Sequence, residues 1–211
     1  MKSKFKWIEI SQYLKLDEII RNKQEMSIIE SNANLINEYK KVEKIILNDF
    51  KECNFDKLPS VEEEKITKKL YFFVPSQEKI KERIERYKEV SLLEHIYNVL
   101  DEVEKYEFKR ETDRYSMKLF ALLHDIGKSK CIRDKYNIPH TVSHEKASAI
   151  YASKILKNTH FEFLSDLLLS AMENNGRVDK RSYQYIDLLV YFDKKSREKE
   201  LKRKKRHNTD T

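Results

Sequence analysis

The chain has 211 residues, of which 37% are charged and 39% hydrophobic, with twelve Tyr and ten Phe; it is long enough for one domain with an appendage and too rich in aromatics to be a disordered chain. Only two Gly and three Pro occur, which excludes a turn-rich β-sandwich and any Gly-rich phosphate loop. The formal net charge is +7, yet residues 194–206 hold nine Lys or Arg against two Glu, and the rest balances 34 basic with 34 acidic side chains, so the basicity belongs to the tail and not to the folded body.

Residues 5–54 read as helices. Ile8, Ile10, Tyr13, Leu14, Leu16, Ile19 and Ile20 form one apolar run, and Ile28, Ile29, Leu35, Ile36, Tyr39, Val42, Ile45, Ile46 and Phe50 another, with gaps of three and four that fit a buried stripe. Residues 54–61 form a break, in which Ser60 and Glu63 have the spacing of a capping box. Leu70–Val74 is an apolar run of five, open to either a short strand or a buried helix end. Ser76 opens a helix with Ile80, Ile84 and Tyr87, and Ser91 with Glu94 makes a second capping box before Leu92, Leu93, Ile96, Val99, Leu100 and Val103. Tyr115–Ile126 is a dense apolar helix, residues 127–139 a polar loop, and further helices are expected over about 143–156, 161–173 and 183–199.

Cys53 and Cys131 stand far apart in no C-x-x-C, and are expected to be two reduced thiols. The N-terminus has no apolar run of signal-peptide length, and no stretch approaches about 18 apolar residues. The expected setting is cytoplasmic, with no membrane partner.

His124 and Asp125 follow Leu119–Leu123 at the end of a helix that otherwise asks to be buried. Burying an imidazole and a carboxylate costs several kcal/mol unless they are paired or hold a cation. Gly127 is read as stopping the helix beside them, and Lys128 adds a cation. Taken alone, the dipeptide reads as a satisfied pair at a helix C-cap.

The string Leu122-Leu123-His124-Asp125-Ile126-Gly127-Lys128 resembles the signature of the HD-domain superfamily of metal-dependent phosphohydrolases. His95, within Leu92–Val99, resembles the family's first His helix. His144, in Ser143-His144-Glu145-Lys146-Ala147-Ser148-Ala149, resembles its downstream His-Glu helix, and Asp193, in Leu188–Arg197, its closing Asp. The resemblance covers about residues 85–197. It implies an all-α HD-domain helical bundle of about five to seven helices over 76–199, preceded by an N-terminal helical extension over 1–75 and followed by a basic flexible tail over 200–211.

The resemblance further implies that His95, His124, Asp125 and Asp193 bind a divalent ion, with Mn, Fe, Co, Ni, Zn and Mg all compatible with two imidazoles and two carboxylates. Such an ion lowers the pKa of its water and neutralises phosphate charge. Asp125 would also orient the attacking water, and Lys128 would reach a phosphate oxygen. His144 is open between a second-ion ligand, a phosphate contact and a plain helix-start residue. Arg177 is a phosphate-clamp candidate. Asp187 competes with Asp193, but six residues on one helix turn their side chains about 120° apart. His140 and His160 read as loop residues.

The chain departs from the pattern where Glu173 or Asn174 replaces a further His, and it lacks the Gly-Tyr-Pro segment of cyclic-di-GMP phosphodiesterases. A mononuclear site is therefore expected. The substrate implied is a nucleotide or another small phosphoester. The alternatives are an HD-type nuclease, with the basic tail giving weak nucleic-acid contact, and a non-catalytic HD scaffold that binds a ligand. Oligomeric state is left open by the sequence.

Overall fold

A computed structural model describes residues 32–61, 85, 89–173 and 180–207. The chain divides into two compact units, Met1–Lys40 and Lys41–Thr211. The run Ile8–Ile20, Ile28 and Ile29 of the second run, Glu63, the Leu70–Val74 run and the expected helix after Ser76 lie outside the described residues, apart from residue 85. In the smaller unit, residues 32–40 are helical and bury Leu35 and Tyr39.

Seven α-helices occur among the described residues, with no strand ladder, so the architecture is an all-α bundle. They are α1 (32–52), α2 (Leu92–Glu104), α3 (Glu111–Leu123), α4 (Lys130–Lys135), α5 (His144–Ile155), α6 (Phe163–Glu173) and α7 (Lys180–His207). A single 3-10 turn, Ile126–Lys128, joins α3 to α4. Within the larger unit α2 packs on α3 and α7, and α5 packs on α6 and on the 3-10 turn. The shared core holds Ile96, Val99, Phe120, Leu122, Leu123, Tyr151, Phe161, Leu164 and Phe192, each almost wholly removed from water. Each such side chain contributes about 1.5–3 kcal/mol by burial.

The helix starts obey capping chemistry. The Ser91 hydroxyl accepts from the Glu94 N–H (3.1 Å), and Ser143 does the same for Lys146 (3.2 Å). Segment 55–60 completes the α2 start: the Leu58 and Phe55 carbonyls take the N–H groups of Leu92 (2.7 Å) and Leu93 (3.1 Å). The chain thus crosses the N-terminus of α2, and the one isolated bridge, Pro59 with Ser91, marks that crossing.

Four expectations need correction. Residues 127–139 are not one loop, because Ser129 caps the short helix α4 through the Ile132 N–H (3.3 Å). The last helix does not end near residue 199, because α7 runs to His207 and Glu200 is buried. Cys53 and Cys131 are not reduced thiols: they form a disulfide across 78 residues. Packing of the α1 end against α4 brings them together, and nothing in their sequence spacing signals that. Ile45, assigned to the buried stripe of α1, is 41% exposed; the stripe runs Val42, Ile46, Asp49, Phe50, Cys53.

Scarce glycine has a visible consequence. Asn54, Asn137 and Asn158 adopt positive φ (51°, 50° and 61°) after α1, α4 and α5. Asn tolerates this left-handed region because its short side chain bonds locally. Gly127 is needed for a different reason from the expected helix stop, since its φ is not positive. A Cβ there would strike the His144 carbonyl and stand 2.6 Å from Ser148 N and 2.8 Å from Ala147 Cβ. Only glycine lets the 3-10 turn lie against the first turn of α5.

Candidate metal centre

Three helix segments and the 3-10 junction converge on Asp125. His95 comes from the first turn of α2 and His124 from the C-cap of α3, with Asp125 next in the chain. His144 opens α5, and Asp193 lies midway along α7. The turn that carries His124 and Asp125 is pinned by Ser148, whose hydroxyl accepts from Gly127 N–H (2.9 Å) and donates to the His124 carbonyl (3.1 Å). Buried Arg133 holds the other side, donating to the carbonyls of Gly127 (2.8 Å) and Val142 (2.8 Å).

The His95 Nε2 lies 3.6 Å from Asp125 Oδ2 and 3.1 Å from Asp193 Oδ1. His124 Nε2 lies 3.4 Å from Asp125 Oδ2. His144 Nε2 is 3.7 Å from the other Asp125 oxygen, Oδ1, and 3.1 Å from Glu145 Oε1. His95, His124 and Asp125 form a group able to hold a metal ion, with ligand atoms all within 4.8 Å of one another. Asp193 stands at the rim, its side chain 44% exposed.

The hydrogen-bond pattern fixes what these atoms offer. His124 Nδ1 is 2.6 Å from the Ala121 carbonyl, which can only accept, so Nδ1 carries the proton and Nε2 a lone pair. His95 Nδ1 faces the Glu200 carboxylate at 3.0 Å in the same sense. Both Nε2 atoms are buried and have no hydrogen-bond partner. Asp193 Oδ1 nevertheless approaches His95 Nε2 to 3.1 Å without making a hydrogen bond. Two buried lone pairs and a buried carboxylate thus face one another, an arrangement that a cation satisfies.

The electrostatics match this arrangement for Asp125 and His124, and run against it for His95 while no ion is bound. Burial would raise the Asp125 carboxyl, but Lys128 above all, with His124 and His95, holds it well below the usual carboxylate range. Burial, reinforced by the neighbouring His95, lowers His124 and keeps it neutral. Burial also pulls His95 down, but Asp193 and Glu200 override this and leave it raised. Asp193, only partly buried at the rim, itself lies low, since His95 outweighs the opposing desolvation.

Lys128 donates to Asp125 Oδ2 (2.6 Å) and to the Ser60 carbonyl (2.8 Å), so two of its three donors serve the protein. Arg177 lies outside the described residues, as does Asn174. Asp187 is exposed and lines a separate cleft with Tyr106 and Arg110, which agrees with the rotation argument for Asp193. His140 pairs with Asp134 (2.7 Å) on the surface, and His160 is exposed.

Sequence reading missed Ser60, Asn98, Arg197 and Glu200. Arg197 donates to the Ser60 hydroxyl (2.8 Å) and to Glu200 Oε2 (3.0 Å). Asn98 donates to Glu200 Oε1 (3.0 Å). A signal for two of them existed: Asp193, Arg197 and Glu200 stand at i, i+4 and i+7 on one helix face. The sequence marks Ser60 only as a capping-box partner of Glu63, which lies outside the described residues, and not as a support of the site.

No family model, curated protein or solved structure matches the chain. No helix among the described residues is long and apolar enough to cross a membrane.

Proposed function

We propose that this chain is a metal-dependent phosphohydrolase of the HD type, acting on a nucleotide or another small phosphoester. The observation that carries the reading is the pair of buried, unpartnered Nε2 atoms of His95 and His124 facing the Asp125 carboxylate. These three side chains would hold the ion, with Asp193 at the open rim. A divalent ion bound there would neutralise phosphate charge and acidify a water molecule.

The chain's own groups divide the remaining work. Asp125 offers one oxygen to the His95–His124 side and the other toward His144. That second oxygen and His144, 3.7 Å apart, would orient a water or hold its proton. Lys128, anchored on the Ser60 carbonyl, keeps Asp125 ionised. Replacement of the further family His by Glu173 or Asn174 favours one strongly held ion over two.

The test is metal content by elemental mass spectrometry on freshly purified protein, with hydrolysis of a nucleotide and phosphoester panel under Mn²⁺ and Ni²⁺. About one equivalent of transition metal with turnover, both lost in Asp125→Ala, is the expected outcome. Full turnover in Asp125→Ala overturns the reading. Metal and ligand binding without turnover on any substrate points to the scaffold alternative.

A further inference from the structure

We infer that Glu200 is the positioning residue of the metal centre: it holds the His95 proton on Nδ1 and so turns the Nε2 lone pair toward the ion. The inference rests on the metal-centre reading above and assigns a role to a residue that composition places in a solvated basic tail. Glu200 lies two turns beyond Asp193 on α7, and its side chain is 2% exposed. A carboxylate so placed is costly unless donors surround it. Here three do: His95 Nδ1 (3.0 Å) and Asn98 (3.0 Å) on Oε1, and Arg197 (3.0 Å) on Oε2. Arg197 is in turn fixed by the Ser60 hydroxyl (2.8 Å) and carbonyl (3.3 Å). A relay therefore runs from segment 55–60 through Arg197 and Glu200 to His95.

The relay matters because the other ring nitrogen has competing acceptors. Asp193 Oδ1 lies 3.1 Å and Asp125 Oδ2 3.6 Å from His95 Nε2. Without Glu200 these carboxylates would draw the ring proton to Nε2, on the face where an ion must bind. With Glu200 the proton has a better-aligned acceptor behind the ring, while Nε2 makes no hydrogen bond. A carboxylate behind a ligating imidazole fixes its tautomer and raises its basicity, and loss of such a partner weakens metal binding about 10–100-fold.

The experiment uses the full chain as wild type, Glu200→Gln and Glu200→Ala. Long-range ¹⁵N–¹H spectra of the metal-free proteins, recorded where the ring is neutral, report the His95 tautomer. Competition with a chromophoric chelator reports Zn²⁺ affinity. Wild type is expected to show Nδ1–H, and Gln to keep it, because the amide oxygen still accepts. Ala is expected to shift to Nε2–H and to bind Zn²⁺ about 10–100-fold more weakly, with Gln recovering most of that loss. An Nε2–H tautomer in the wild type overturns the inference without any variant, as does a folded Ala variant with unchanged tautomer and affinity. Nδ1–H in a wild type that binds no Zn²⁺ would instead sink the metal-centre reading and leave the orienting role standing.

Discussion

Two buried aspartates in the larger unit have opposite surroundings. Asp49, on α1, is met by donors: the hydroxyls of Tyr136 (2.7 Å) and Tyr151 (2.5 Å) on Oδ2, and the Lys135 ammonium (2.6 Å) on Oδ1. Asp125 is met by one donor, Lys128, and otherwise by imidazole nitrogens, two of which are buried without hydrogen-bond partners. Both carboxylates are almost excluded from water. A carboxylate saturated by donors is a fastener, and this one ties α1 to α4 and α5. A carboxylate facing lone pairs is incomplete within the protein, and a cation completes it. Burial alone does not separate the two cases; the donor count around the carboxylate does.

The sharpest test of that contrast is to exchange the readouts. Asp125→Ala should remove metal altogether, as read by elemental analysis. Asp49→Ala should leave Zn²⁺ affinity nearly unchanged but cost about 3–5 kcal/mol of stability in urea unfolding, because two tyrosine hydroxyls and Lys135 lose an ionised acceptor. An Asp49 variant that loses metal at native stability would break the comparison.

The disulfide beside Asp49 comes next. It closes a 78-residue loop, and removing such a link costs about 2–4 kcal/mol. Cys53→Ser with Cys131→Ser should lower the unfolding free energy read in urea by that amount and leave metal binding intact. A pair of variants with unchanged stability would show that Asp49 and its partners fasten α1 alone.

The smallest effect belongs to Tyr136. Burial first, and then the Asp49 carboxylate, pushes its hydroxyl up from 10.0 to about 12. A raised folded pKa contributes stability that is fully present below the unfolded value and lost as pH rises through the folded one. The native protein should therefore lose stability between pH 10 and about 12. Tyr136→Phe should flatten that slope and cost about 1 kcal/mol at neutral pH. An unchanged alkaline slope would remove Tyr136 from the fastener.

Helix content was legible because it depends on local pattern. The Ser91 cap, and the His144–Ile155 helix between its expected bounds of 143 and 156, came through intact. His95, His124 and Asp125 were legible as a group only through the family resemblance, since the His-Asp pair taken alone reads as a satisfied helix C-cap. The reading of Gly127 failed in kind: the sequence marks a glycine but not whether it answers to φ or to a neighbour's approach, and the neighbour is the first turn of α5, some twenty residues on. The end of α7 was misplaced because composition reports Lys and Arg, not the single Glu among them that turns inward.

By itself, then, the sequence determined an all-α chain and its helices after Ser91 other than α4, because periodicity and caps act over a few residues, while the grouping of His95, His124 and Asp125 rested on the resemblance. Only the tertiary structure decided that Cys53 meets Cys131, that Asp49 is a fastener, and that Ser60, Arg197 and Glu200 stand behind His95. Those pairings span 78 to 137 residues. They exist because helices bury their apolar faces against one another, and the polar partners fall where that packing puts them.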